Sequence, residues 1–190
     1  RYAPHEALPA YANLIHKLNN TEFLKKEVID KHIYHSRFRA GTDNVDVIWS
    51  TLPAVIKVST SRTLEVTDMF GKKIQMQPVS GFVYILTEDV PVYLEGDIED
   101  ISRADFSTCK ISAISALGEP IQIIGDLKAI SKGSFKIVTN KIEEIESDGV
   151  FEITVPGEKN AGVQWTDIKI YKDEKCVASG VRKTRFVKPV

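Results

Sequence analysis

The sequence predicts a mainly β protein, two β-sandwich domains led by one N-terminal helix, on three observations. Apolar and polar residues alternate in short runs over most of the chain, which is the period-2 pattern of half-buried strands. Turn signals separate these runs at roughly eight-to-twelve-residue spacing, as in sandwiches and barrels. Only one segment, "HEALPAYANLIHKLNN" (5–20), carries helical spacing.

In that segment Tyr11, Leu14, Ile15 and Leu18 follow the i, i+3, i+4, i+7 spacing of one apolar face. Pro9 suits a first helical turn, where its missing N–H leaves no bond unmade. "NNT" suits the exit from the helix. Everything after it reads as β, so this face is expected to pack between domains, with its own sandwich, the second domain or a second copy of the chain as the surfaces open to it. Replacing Leu14 and Ile15 with Asp is expected to detach the helix.

From about residue 31 the period is two. "HIYHSRFRA" leads through "GTDN" into "VDVIWST", in which Val45, Val47 and Trp49 share a face. "AVIKVST" leads through "SR" into "TLEVTDM", and "FGKK" follows, where Gly71 permits the positive φ of a tight turn. "IQMQP", "GFVYILTE" and "VPVYLEG" complete the first set. Pro91 suits an edge strand or a strand start, so "EDVPVYLEG" (88–96) reads as a closing strand at a domain edge.

The charged stretch "EGDIEDISRAD" (95–105) reads as a linker. About seven more strands follow in about 85 residues, the density of an immunoglobulin-like sandwich. Phe151, Ile153 and Val155 alternate cleanly with Glu152 and Thr154, and "KDEK" (172–175) suits a hairpin loop. The expected domains are 1–98, helix-led, and 104–190, immunoglobulin-like. The halves show no sequence repeat.

A chain of 190 residues has room for one large domain or two small ones, each with its own core. Its 25 Lys and Arg against 26 Asp and Glu leave no positive excess for phosphates, so nucleic acid is not an expected partner. No apolar run approaches the ~20 residues that span a bilayer. The chain begins at Arg1 without a Met and reads as a piece of a longer protein. Cys109 and Cys176 both fall in apparent strands. They form either a cross-sandwich disulfide or two separate buried thiols, and spacing does not decide between these.

Chemistry is sparse. No nucleophile elbow, P-loop, zinc-protease or dinucleotide motif is present, so neither a catalytic set nor a cofactor is expected. His32 and His35 are three apart at a strand start and point to opposite faces, which does not suit a metal. Asp97, Glu99 and Asp100, and the run "EEIESD" (143–148), read as solvated charge. Among the aromatics Trp49, Trp165, Tyr93 and Tyr171, core packing is the common expectation. Trp165 and Tyr171 are the candidates for an exposed surface on which a sugar ring stacks.

"ALPAYANLI" (7–15), "VIWS" (47–50), "VTDMFGKK" (66–73) and "EDVPVYLEG" (88–96), in this order, resemble the C-terminal end of a barrel-type glycoside hydrolase. In that family the last barrel helix leads into an accessory β-sandwich. The resemblance covers about residues 4–98. The second half looks like a generic immunoglobulin-like or carbohydrate-binding-like module. The resemblance implies a non-catalytic region whose partner is a catalytic barrel, with polysaccharide as a further partner; the alternative readings are a carbohydrate-binding module and a structural surface protein of tandem immunoglobulin-like domains. It is compatible with an extracellular or bacterial cell-surface setting. The family's catalytic carboxylates sit on barrel strands, so none carries over to a residue here.

Overall fold

The computed structural model describes residues 7–104, 110–111, 114–140, 142 and 145–188. Helix α1 (Ala7–Leu18) comes first, then β1 (Glu22–Asp30), β2 (Ile33–Ala40), β3 (Asp43–Ser50), β4 (Ala54–Ser59) and β5 (Leu64–Thr67). β6 (Lys73–Met76), β7 (Phe82–Thr87), β8 (Val92–Glu95) and β9 (Asp100–Arg103) complete the first half. The second half holds β10 (Lys110–Ile111), β11 (Ile114–Ala116), β12 (Ile121–Asp126), β13 (Phe135–Thr139) and β14 (Ile145–Ser147). β15 (Val150–Val155), β16 (Gly162–Lys172) and β17 (Lys175–Val187) end it. The protein is mainly β with one helix, as expected.

The strands form three stacked layers. A six-stranded sheet runs β1-β2-β3-β8-β5-β6, and a three-stranded sheet runs β10-β12-β15. Between them lies a sheet of order β14-β13-β16-β17-β7-β4-β9, with β11 added beside β17. One core fills the space between the six-stranded and central sheets, where Ile48, Leu64, Met76 and Leu94 meet Ile56, Val58, Val83 and Ile85. The other joins the central sheet to the three-stranded one through Tyr84, Leu86, Phe135, Ile168, Ile170, Ile153 and Val155. Tyr84 and Leu86 face one core while Val83 and Ile85 face the other, so β7 is buried on both sides.

The halves of the chain share the central sheet. β17 runs parallel to β7, with Ala178, Ser179 and Gly180 opposite Tyr84, Ile85 and Leu86. A Cβ at Gly180 would overlap the Leu86 carbonyl, so only glycine permits this approach. Just beyond it, the buried Arg182 guanidinium donates to the Thr87 carbonyl at 3.0 Å and the Ala54 carbonyl at 3.2 Å. The expected division between 98 and 104 is not visible as a break in this sheet.

Three local expectations change. The "linker" contains β9, which pairs with β4 through Ile101↔Val58 and its neighbours. β8 is central, between β3 and β5, because Pro91 stands one residue before it and removes no ladder hydrogen bond. A strand at 22–30 precedes the expected first one. Two register shifts, between Phe23 and Lys25 and between Val28 and Asp30, break its alternation and hide it from a period-2 reading.

Two hairpins form as read. Gly71 has φ +89° in the β5–β6 turn, and Asp173 and Glu174, with φ 47° and 64°, join β16 to β17. Cys176 is a free, buried thiol, not half of a disulfide. Cys109, Glu143 and Glu144 lie outside the described residues. No helix among them is long and apolar enough to cross a membrane.

Candidate functional site

Cross-strand register assigns the two faces of the six-stranded sheet. Paired residues point the same way, so Phe23, Phe38 and Val45 share a face with Val28, Tyr34 and Trp49, and with Val47 and Tyr93. This outer face carries α1: Leu18 packs on the cluster of Val45, Val47 and Tyr93, joined by Phe38 and Trp49. Trp49 is thus half-buried in packing, stacked on Tyr34 with centroids 5.4 Å apart.

The helix meets the sheet with an unusual side. Ala10 packs beside Met69 and Phe70. The Asn13 amide donates to the Asp68 carbonyl at 3.0 Å. Lys17 is nearly buried, bonded to Glu95 and 3.6 Å from Glu65. Positions 10, 13 and 17 are spaced i, i+3, i+7 and form one stripe. The large apolar residues lie on the opposite side: Leu8 and Tyr11 are each 62% exposed, Ile15 49% and Leu14 38%. Of the expected packing set, only Leu18 packs on the sheet. Tyr11, Leu14 and Ile15 point outward, so their replacement by Asp is not expected to detach the helix from its own sheet.

β1 extends this apolar surface on the same side of the sheet. Phe23 and Val28 are both exposed there, with Phe23 edge-on to Phe38 at 5.6 Å. Fully covering a Leu or Ile side chain is worth about 1.5–3 kcal/mol, so the four half-exposed helix residues alone represent a driving term of about 4–6 kcal/mol.

The "VTDMFGKK" hairpin anchors the helix to both halves. Asp68 Oδ1 accepts the Phe70 and Lys72 N–H groups, each at 2.9 Å, and so fixes the turn. Phe70 meets Trp165 edge-on at 6.2 Å, and Lys72 pairs with Asp167. Burial, with the Asp167 charge adding, holds the Asp68 carboxyl above its ordinary value despite those two N–H bonds. Asp68 and Asp167 line a common groove of about 30 Å³, room for about one water molecule. Asp68 is engaged by its own turn and Asp167 by Lys72, an arrangement that braces the hairpin.

Beneath the outer face lies a buried ionic cluster that the sequence did not reveal. The His35 ring has Nδ1 2.7 Å from Glu27 Oε1 and Nε2 bonded to Asp46 Oδ1, while Arg37 Nε donates to the same oxygen at 2.7 Å. The side-chain bonds to Lys25 and then His35 hold the Glu27 carboxyl below its ordinary value. Asp46 Oδ2 is buried with no partner among the described residues. The alternation Ile33, His35, Arg37 was visible in sequence, but the pairing Arg37↔Asp46 that completes the cluster comes from register.

The two sugar-stacking candidates do not form one platform. Trp165 is half-buried against Phe70, with Lys183 Nζ 5.7 Å from its ring. Tyr171 packs at the edge of the core between the six-stranded and central sheets. Six residues along β16 separate them, about 20 Å at strand rise. The described residues hold no group of three or more His, Cys, Asp or Glu side chains placed to bind a metal. No family model matches the chain, and no curated protein matches it.

Proposed function

We propose that this chain is a non-catalytic accessory region of a glycoside hydrolase-like parent, docked on the parent's catalytic barrel through the outward face of α1. The observation that carries this reading is the reversed helix. Its polar and small side chains bind its own sheet, while Leu8, Tyr11, Leu14 and Ile15 face away. An isolated surface helix normally buries its apolar stripe. This one leaves that stripe for another surface, and Phe23 and Val28 continue it.

The resemblance of the four motifs supplies the partner's identity. It also gives the hairpin "VTDMFGKK" a physical job, since Asp68 and Phe70 hold α1 and β16 together. On this reading the central sheet is a rigid base, and no chemical step is assigned to the chain itself.

Calorimetric titration of this chain into the separately produced barrel of the parent tests the proposal. One-to-one association is expected, weakened at least a hundredfold by Tyr11→Asp with Ile15→Asp, since about 2.7 kcal/mol of lost burial corresponds to that factor. Absence of association, or association indifferent to both substitutions, refutes docking through this face. Sedimentation of the chain alone separates this reading from a homodimer through the same helix.

A further inference from the structure

The buried ring of His35 joins three strands. It stands on β2, 1% exposed, with Nδ1 2.7 Å from Glu27 Oε1 on β1 and Nε2 bonded to Asp46 Oδ1 on β3. A neutral imidazole has one N–H and one lone pair, so it donates to one of these carboxylates and sets its lone pair against the other. Only the doubly protonated ring donates to both. We infer that His35 is a proton-operated latch: the doubly protonated ring fastens the edge strand β1 to the six-stranded sheet, and the singly protonated ring releases it.

β1 depends on this tie because little of it is buried. It lies at the edge of the sheet, paired with β2 alone among the described strands, and two register shifts interrupt that ladder. Its side chains are exposed or half-buried along its whole length. Phe23 against Phe38 and Ile29 at the rim of the core are its main apolar links. Strands held this thinly open locally while the rest of a domain stays folded.

The neighbouring charges leave the latch to His35. Arg37 donates to the same Asp46 oxygen at 2.7 Å, and a guanidinium keeps its charge throughout, so β2 and β3 stay joined in either state of the ring. Lys25 donates to Glu27 at 2.9 Å, but both belong to β1, so this pair ties the strand to nothing else. At the two ends of β1, Glu22 pairs with Arg39 at 3.5 Å and Asp30 with Arg103 of β9, through exposed arginines that water screens. His32 sits exposed in the β1–β2 turn with Nδ1 3.1 Å from Thr51 Oγ1 and does not touch β1's carboxylates.

The direction follows from the bonds. The Glu27 side chain is 42% exposed, so without the His35 proton its carboxylate turns to water. The Lys25 bond and then the His35 bond hold that carboxyl below its ordinary value, which keeps the acceptor ionised on the acid side of the His35 titration. β1 is therefore fastened on that side and loose on the alkaline side. Its release carries Phe23 and Val28 away from the outer face.

Amide hydrogen exchange of the chain between about pH 5 and 8, corrected for intrinsic rates and normalised to β8, tests the inference. Protection of β1 (Glu22–Asp30) should fall about tenfold across the range, the loss expected for one charge-assisted hydrogen bond. The fall should coincide with the change of the His35 ring from two protons to one, read from its nitrogen chemical shifts. His32→Asn should keep the step. Glu27→Ala should abolish it, with β1 weakly protected throughout and β8 unchanged. Constant β1 protection in the wild type, a step that survives Glu27→Ala or vanishes in His32→Asn, or a singly protonated ring beside a fully protected β1 overturns the latch. None of these outcomes bears on the helix-mediated docking.

Discussion

Arg182 donates a 3.0 Å hydrogen bond to the carbonyl of Thr87, ninety-five residues away in sequence. A second bond, to Ala54 at 3.2 Å, makes this guanidinium a clamp between strands contributed by the two halves of the chain. Replacing Arg182 with Met keeps much of the volume but takes this donor from the buried Thr87 carbonyl and the partly buried Ala54 carbonyl. Each such group costs about 1–3 kcal/mol, so the variant should lose about 2–4 kcal/mol in urea denaturation. Trp49 lies in the first half and Trp165 in the second, so both should still unfold in one transition. An unchanged midpoint would show that the clamp is dispensable.

Gly180 offers an independent test of the same junction. Its missing Cβ lets β17 lie against Leu86 of β7. Gly180→Ala forces backbone apart and should cost about 1–3 kcal/mol, with Gly180→Val worse. Equal stability of all three proteins, compared by thermal melting, would deny the close approach.

The helix predicts opposite responses on its two sides. Leu18→Ala, in the cluster under α1, should cost about 2–4 kcal/mol. Leu14→Asp and Ile15→Asp, on the outward side, should shift the stability of the isolated chain by no more than about 0.5 kcal/mol. Chemical denaturation of the three variants decides, and the reverse ranking would mean that the helix is seated the other way round.

Glu88 should destabilise the native state as pH rises. It is buried, its Oε2 accepts the Lys183 N–H at 2.9 Å, and burial holds its carboxyl above the ordinary value. The folded state therefore binds the proton more tightly than the unfolded chain. Stability is highest below the unfolded value and falls as pH rises through the window up to the folded value. In Glu88→Gln, that pH dependence should be missing from the difference between variant and wild type, with the variant gaining on wild type above the window. A constant difference from mildly acidic to neutral pH would remove Glu88 as its source.

Cys176 should be silent to thiol reagents. Burial pushes its thiol up to about 12, so almost no thiolate is present at neutral pH. Mass spectrometry after alkylation should find Cys176 modified only under denaturing conditions. Rapid native labelling would contradict its burial.

What could be read directly from the sequence was local. The helix, the Gly71 turn and the "KDEK" hairpin each rest on a few neighbouring residues with strong conformational preferences. What escaped depends on partners far away in the chain. β9 looked like linker because Asp100, Ile101, Ser102 and Arg103, with one apolar side chain among them, say nothing of their neighbour β4. β1 was hidden by its bulges, and the His35–Asp46 contact depends on register that no single strand encodes. The helix was found, but its orientation was not. An apolar stripe signals burial, and here the stripe points away from the chain's own core.

That outward stripe is the central claim. Its most direct test is amide hydrogen exchange across residues 8–15, in the intact parent protein and in this chain alone. The account predicts stronger protection of those amides when the barrel is present, with side-chain labelling of Tyr11 suppressed in parallel. Equal protection and equal Tyr11 labelling in both would show that the face stays open, and would contradict it.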